Sequence, residues 1–77
     1  MKLQIITPDE ELFLGEVNSI VIPGIDGLIG ILNDHAPMVS SLKKGKIKVN
    51  SEKEEKFFDV NGGVVEVLMN NVIILAI

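Results

Sequence analysis

The sequence has no cysteine, no tryptophan, no tyrosine and a single histidine among its 77 residues. Without cysteine there is neither a disulfide framework nor a thiolate metal site. The lone histidine, His35, makes a poor metal centre as well, because structural zinc takes about four nitrogen or sulfur ligands. No apolar run approaches the ~18 residues that span a bilayer as a helix. The amino terminus lacks the charged start and the ~7–15-residue apolar stretch of a secretory signal. A soluble, intracellular protein is predicted. The net charge of −4 disfavours nucleic acid, whose affinity for proteins comes chiefly from lysine and arginine on phosphates.

Apolar residues, by contrast, are plentiful. They make up 47% of a chain long enough for one domain, residues 1–77, and no more. A domain this small buries only about 60% of the surface of its unfolded chain. Part of so large an apolar content must stay outside, and a contiguous exposed apolar patch marks a partner surface.

Charge is distributed unevenly. In residues 1–42, Lys2 stands alone against Asp9, Glu10, Glu11, Glu16, Asp26 and Asp34, a balance of −5. Residues 43–77 carry six lysines against five acids, a balance of +1. Lys43, Lys44, Lys46 and Lys48 cluster. They read either as a solvated edge strand protected by charge or as a basic strip facing an acidic partner.

Short β-branched runs separated by turn residues are the pattern of an all-β chain. Strands are expected from Lys2, Leu12, Ser19, Leu28, Met38, Lys46, Lys56, Val64 and Val72, with no helix. Pro8 to Glu11, Asp26-Gly27, Lys43 to Gly45, Ser51 to Glu55, Asn61-Gly62-Gly63 and Asn70-Asn71 supply the turns, Asn61-Gly62-Gly63 reading as a tight reversal. One small sheet cannot bury so many apolar faces, so a compact β-sandwich or flattened barrel of about eight to ten short strands is predicted.

The stretch from Gly24 to Pro37, GIDGLIGILNDHAP, holds the residues closest to a chemical motif. Gly24, Gly27 and Gly30 are spaced Gly-x-x-Gly-x-x-Gly, with no following helix and no closing Gly-Lys-Ser/Thr. Phosphate loops need that helix N-terminus and that lysine. Gly27-Leu28-Ile29-Gly30 also matches the bare Gly-x-x-Gly of nucleic-acid-clamping domains, but lacks their helices and basic residues. Asp34-His35 with Ser40 or Ser41 invites a hydrolase reading. Neighbours in an extended chain face opposite ways, however, and no strained nucleophile turn is present. A carrier domain with a lipoyl or biotinyl group on Lys53, in the tip Ser51-Glu52-Lys53-Glu54-Glu55, fits the size and the acidity. The Met-Lys-Met and Asp-Lys-Ala patterns of such carriers are missing.

An ordered set of residues resembles a known family. Leu3, Ile5-Ile6-Thr7-Pro8, Leu12-Phe13, Gly15-Glu16-Val17, Pro23-Gly24, Gly27 to Leu32 and His35 to Val39 come first. Leu42-Lys43, Gly45, Ile47, Phe57-Phe58, Val60, Gly62-Gly63, Val65-Glu66-Val67, Asn71-Val72 and Ile74-Leu75-Ala76 follow. Together they look like the amino-terminal domain of the epsilon subunit of F-type ATP synthase. The resemblance implies a β-sandwich in the central rotor stalk, a non-catalytic subunit with no cofactor and no bound metal. It implies that the domain couples the membrane c-ring to the gamma subunit. Contact with the cytoplasmic face of the bacterial cell membrane would be peripheral, made only through the complex.

Carried over by position, Gly27, Leu28, Ile29 and Gly30 match the family loop that approaches the c-ring, and Leu28 is apolar where relatives are often polar or acidic. His35, Ala36 and Pro37 match the loop near the junction of gamma and ring, with Asn33-Asp34 in place of a common Pro-Gly. Longer family members continue into two helices, so the resemblance implies that this 77-residue stretch neither binds ATP nor inhibits hydrolysis through helices.

Overall fold

A computed structural model describes residues 1–77, and all of its regular structure is strand. The strands are β1 (Lys2–Ile6), β2 (Glu11–Glu16), β3 (Ser19–Gly24), β4 (Gly27–Leu32), β5 (Met38–Leu42), β6 (Gly45–Asn50), β7 (Glu55–Val60), β8 (Gly63–Leu68) and β9 (Asn71–Ala76). Hydrogen bonding runs β2-β1-β9-β8-β5-β3-β6-β7, with β4 paired to β3. The path changes character at one place. β3 meets β5 through the single pair Gly24 and Leu42, but pairs with β6 over Ser19 to Val21 and with β4 along its whole length. One sheet therefore folds over into two layers, β2-β1-β9-β8-β5 and β4-β3-β6-β7. The expected sandwich is present, its layers joined by one bridge.

Alternation explains the folding-over. A strand's side chains point to opposite faces in turn, and the inward face of β1, β3, β6, β8 and β9 carries a pair of β-branched or leucine side chains. Leu3 and Ile5, Ile20 and Ile22, Ile47 and Val49, Val65 and Val67, and Val72 and Ile74 are all buried and share one core with Ile31, Leu42 and Val60. No polar or charged residue is buried. Each fully buried aliphatic side chain stabilises the fold by about 1.5–3 kcal/mol. The edges β2 and β7 meet across the core without hydrogen bonds. There Phe13 packs edge-on to Phe58, with ring centroids 5.8 Å apart, and the Lys56 ammonium lies 5.6 Å from the Phe13 centroid.

Several local expectations change. Asn61-Gly62-Gly63 does not reverse the chain into a hairpin. β7 pairs with β6, while β8 pairs with β5 and β9, so these residues cross between layers. Gly62 and Gly63 do carry positive φ, 143° and 141°. A Cβ on Gly63 would collide with the Leu75 carbonyl. Positive-φ glycines suit a crossover as well as a turn, so composition alone could not separate the two.

The β8–β9 turn is Met69-Asn70 rather than Asn70-Asn71, with φ of 50° and 60° closing the Leu68–Asn71 pair. β6 is not an edge strand. It lies between β3 and β7, and Lys46 and Lys48 reach across to Asp59 at 2.8 Å and Glu55 at 3.3 Å. The edge is β7, which supplies the acids. β1 and β9 run parallel, a pairing between chain ends that local pattern does not encode.

Ile74→Ala is expected to cost about 2–5 kcal/mol, a large share of the roughly 4–11 kcal/mol available to a domain of this length. Leu28→Ala, at a side chain 75% exposed, is expected to change stability by under ~0.5 kcal/mol. Urea unfolding measures both, and equal losses would contradict the assigned core.

Candidate functional site

β4 carries one group of candidates and leads to the other. Ile25 and Asp26 form the two-residue turn of the β3–β4 hairpin, closed by the Gly24–Gly27 pair. Gly27 has φ 139°, which a side chain would strain. Leu28 projects to solvent, while Ile29 packs on the core. Gly30 has an ordinary φ, and a Cβ there would meet nothing within 4 Å. It therefore shapes no turn, and it leaves bare backbone between the exposed Leu28 and Leu32.

His35, Ala36 and Pro37 lie beyond the other end of β4. The six residues of β4 put the hairpin tip at Gly27 and the loop that follows Leu32 at opposite ends of the strand, about 17 Å apart, with Gly30 between them. The structure does not bring them into one cluster. The hairpin tip instead neighbours the β5–β6 turn, through Ile25 N–H to Ser41 O (3.2 Å) and Lys43 N–H to Pro23 O (2.9 Å).

The His35 loop is held from β8–β9 and from the chain start. Asp34 stands at φ 64° in a turn of Asn33-Asp34 that His35 closes, so Asp34-His35 is not an extended pair. Its N–H donates to Asn70 Oδ1 at 2.7 Å, and Asn70 Nδ2 donates back to Asp34 Oδ1 at 3.2 Å. The Met1 ammonium donates to Asn33 Oδ1 at 2.9 Å and to Val17 O at 3.1 Å. His35 N–H bonds Leu32 O at 3.3 Å, and Nδ1 lies 2.7 Å from Ala36 O. A carbonyl only accepts, so Nδ1 carries the proton of that bond. Asp34 thus orients Asn70 rather than the imidazole, and no acid–histidine dyad forms. Ser40 Oγ makes only a long contact to Ser41 O, 3.5 Å. No group of three or more acidic or imidazole side chains is placed to hold a metal.

The outer face of the first layer is largely apolar, with Lys2, Glu16 and Asn71 in register along one end. In register across it lie Val39, Glu66, Ile73, Gln4 and Leu14, and beside them Ser41, Val64, Leu75 and Ile6. Val39 is 70% exposed, Leu68 51% and Leu75 50%. An open groove of about 470 Å³ runs between Ile6, Pro8, Val64, Leu75 and Ile77. Small-molecule sites combine an enclosing apolar pocket with convergent polar groups; Thr7 is the only polar side chain here. Such a face suits a protein surface.

In the sequence Asn70 and Asn33 read only as turn residues and Glu66 only as part of the family resemblance, none of them with a contact to make. An asparagine beside a turn signals left-handed backbone, not the loop its amide will reach. Glu66 occupies an outward position in an alternating strand, where a carboxylate is unremarkable.

This is an all-β sandwich domain with an apolar core and a largely apolar exposed face. Over residues 1–77 the chain matches, and belongs to, the family described as the ATP synthase delta/epsilon chain β-sandwich domain. An ATP synthase epsilon chain of Chlorobium limicola is 45% identical over 75 residues, which cover 96% of this chain and 85% of that one. That of Leptospira interrogans serovar copenhageni is 39% identical, over 97% and 59%.

Among solved structures, a chain of the Euglena gracilis mitochondrial ATP synthase, in an assembly of OSCP, F1 and c-ring, superposes with a TM-score of 0.89 at 27% identity. The match covers 96% of this chain and 48% of that one, so this chain spans about half the Euglena chain's length. A chain of the Tetrahymena thermophila central stalk and c-ring gives 0.85 at 19% identity, covering 99% of this chain and 62% of that one, a likeness of fold alone. Lys53 is exposed on the β6–β7 hairpin, as a carrier domain would need, but the family is not that of carriers.

Asn70→Gly keeps the left-handed turn and removes the amide. It is expected to cost roughly 1 kcal/mol and to speed hydrogen exchange at the Asp34 amide, read by NMR. Unchanged Asp34 exchange would contradict the clamp.

Proposed function

We propose that this chain is a non-catalytic central-stalk subunit of an F-type, proton-translocating ATP synthase, coupling the c-ring to the gamma subunit. The observation that carries the reading is the apolar outer face of β5, β8 and β9 in a member of this family. A coupling element must transmit torque without yielding, and a two-layer β body closed around one apolar core is stiff in that sense. It must also hold a large neighbour by contact alone, which an exposed apolar sheet face does.

In this reading the hairpin residues Gly27, Leu28, Ile29 and Gly30 approach the ring, and His35, Ala36 and Pro37 sit near its junction with gamma. Their separation along β4 lets one rigid domain touch two bodies. Leu28 makes that ring contact apolar rather than charged. No helix of the chain is long and apolar enough to cross a membrane, and attachment at the cytoplasmic face of the bacterial membrane is peripheral, through the complex.

Co-expressed with its gamma subunit, the chain is expected to co-purify with it. Added to synthase lacking its epsilon chain, it is expected to restore ATP-driven proton pumping, measured by a fluorescent pH probe in vesicles. Failure to associate with gamma, or pumping no better than without the chain, would overturn the reading.

A further inference from the structure

Glu66 sits in the middle of the apolar outer face. Val64 and Leu68 flank it along β8, and Val39 and Ile73 face it from β5 and β9. It is exposed and belongs to none of the four ion pairs, which join Met1 to Glu16, Lys46 to Asp59, Lys48 to Glu55 and Lys56 to Glu54. No hydrogen bond to its side chain is formed either, although Gln4, Ser51 and Asn70 all find partners nearby in their own regions. Glu66 also lines a groove of about 280 Å³ with Pro37, Met38, Val39 and Leu68, so it adjoins the loop held by Asn70.

Whatever covers this face removes water from a carboxylate. That is costly by several kcal/mol unless the occupant supplies a cation and hydrogen bonds. An anionic lipid surface or a nucleic acid brings the wrong sign to a chain of net charge −4. The complementary occupant is a protein segment with one lysine or arginine ringed by apolar side chains.

We propose that Glu66 is the charged centre of this docking face and receives a basic side chain of the gamma subunit. The inference rests on the functional reading above and deepens it, naming the residue that fixes register within the apolar stretch of β5, β8 and β9. Apolar contact supplies area, whereas a single ion pair within it rejects neighbours that lack the cation.

The test is calorimetric titration of gamma with the intact chain and three variants. Glu66→Gln, which keeps shape and removes charge, is expected to weaken binding at least about tenfold. Glu66→Lys is expected to weaken it further through like-charge contact. Glu52→Gln, at the exposed β6–β7 hairpin, changes net charge equally and is expected to leave affinity unchanged. Thermal unfolding of all three should match that of the parent chain. Parent-like affinity in Glu66→Gln, or an equal loss in Glu52→Gln, overturns the inference while the functional reading stands. No binding by the parent chain overturns both.

Discussion

Every feature of this protein depends on one apolar core shared by two thin layers. Neither layer could bury its inner face alone. The five-strand layer offers Leu3, Ile5, Val65, Val67, Val72 and Ile74, and the four-strand layer closes on them with Ile20, Ile22, Ile31, Ile47 and Val49. Because no polar side chain enters that core, it has no hydrogen-bond network to specify it. Shape is specified instead by the ladders, by the crossover at Gly62-Gly63, and by the parallel pairing of the first and last strands. The same thinness leaves the outer faces with apolar residues that the domain cannot itself cover.

The strand content was legible because period-two alternation is a local signal. Lys46 to Asn50 reads as a half-buried strand from five residues, and it is one. What alternation could not give was which strands are neighbours. Placing β6 inside its layer, pairing β1 with β9, and sending the chain across at Asn61 all depend on contacts between residues distant in sequence. The lysine cluster shows the consequence. As a string it looks like edge protection, whereas in the fold Lys46 and Lys48 are matched to Asp59 and Glu55 on the true edge. Such exposed pairs are worth about 0–1 kcal/mol each, so they steer pairing more than they stabilise it.

The stretch from Gly24 to Pro37 was legible in kind but not in arrangement. Its glycines without a helix pointed away from phosphate binding, whereas the extended aspartate–histidine pair expected from the sequence is replaced by a left-handed turn at Asp34. The fold then separates the stretch into a hairpin tip and a clamped loop at opposite ends of β4. Asn70 could not be read as the clamp, since the side chain that meets Asp34 lies 36 residues away. On the proposed reading, β4 holds one contact at each end and links two larger bodies.

On the proposed function, with Glu66 as the docking centre, gamma is expected to cover the face formed by β5, β8 and β9 and not the opposite face of the sandwich. The absence of cysteine makes that directly measurable, because one introduced thiol is the only reactive one in the chain. Val64→Cys on the first layer and Phe57→Cys on the second, each assembled with gamma and treated with a short thiol-to-amine cross-linker, give the comparison. A cross-link to gamma is expected from position 64 and none from position 57. A cross-link from position 57 alone would contradict gamma's placement on the first layer.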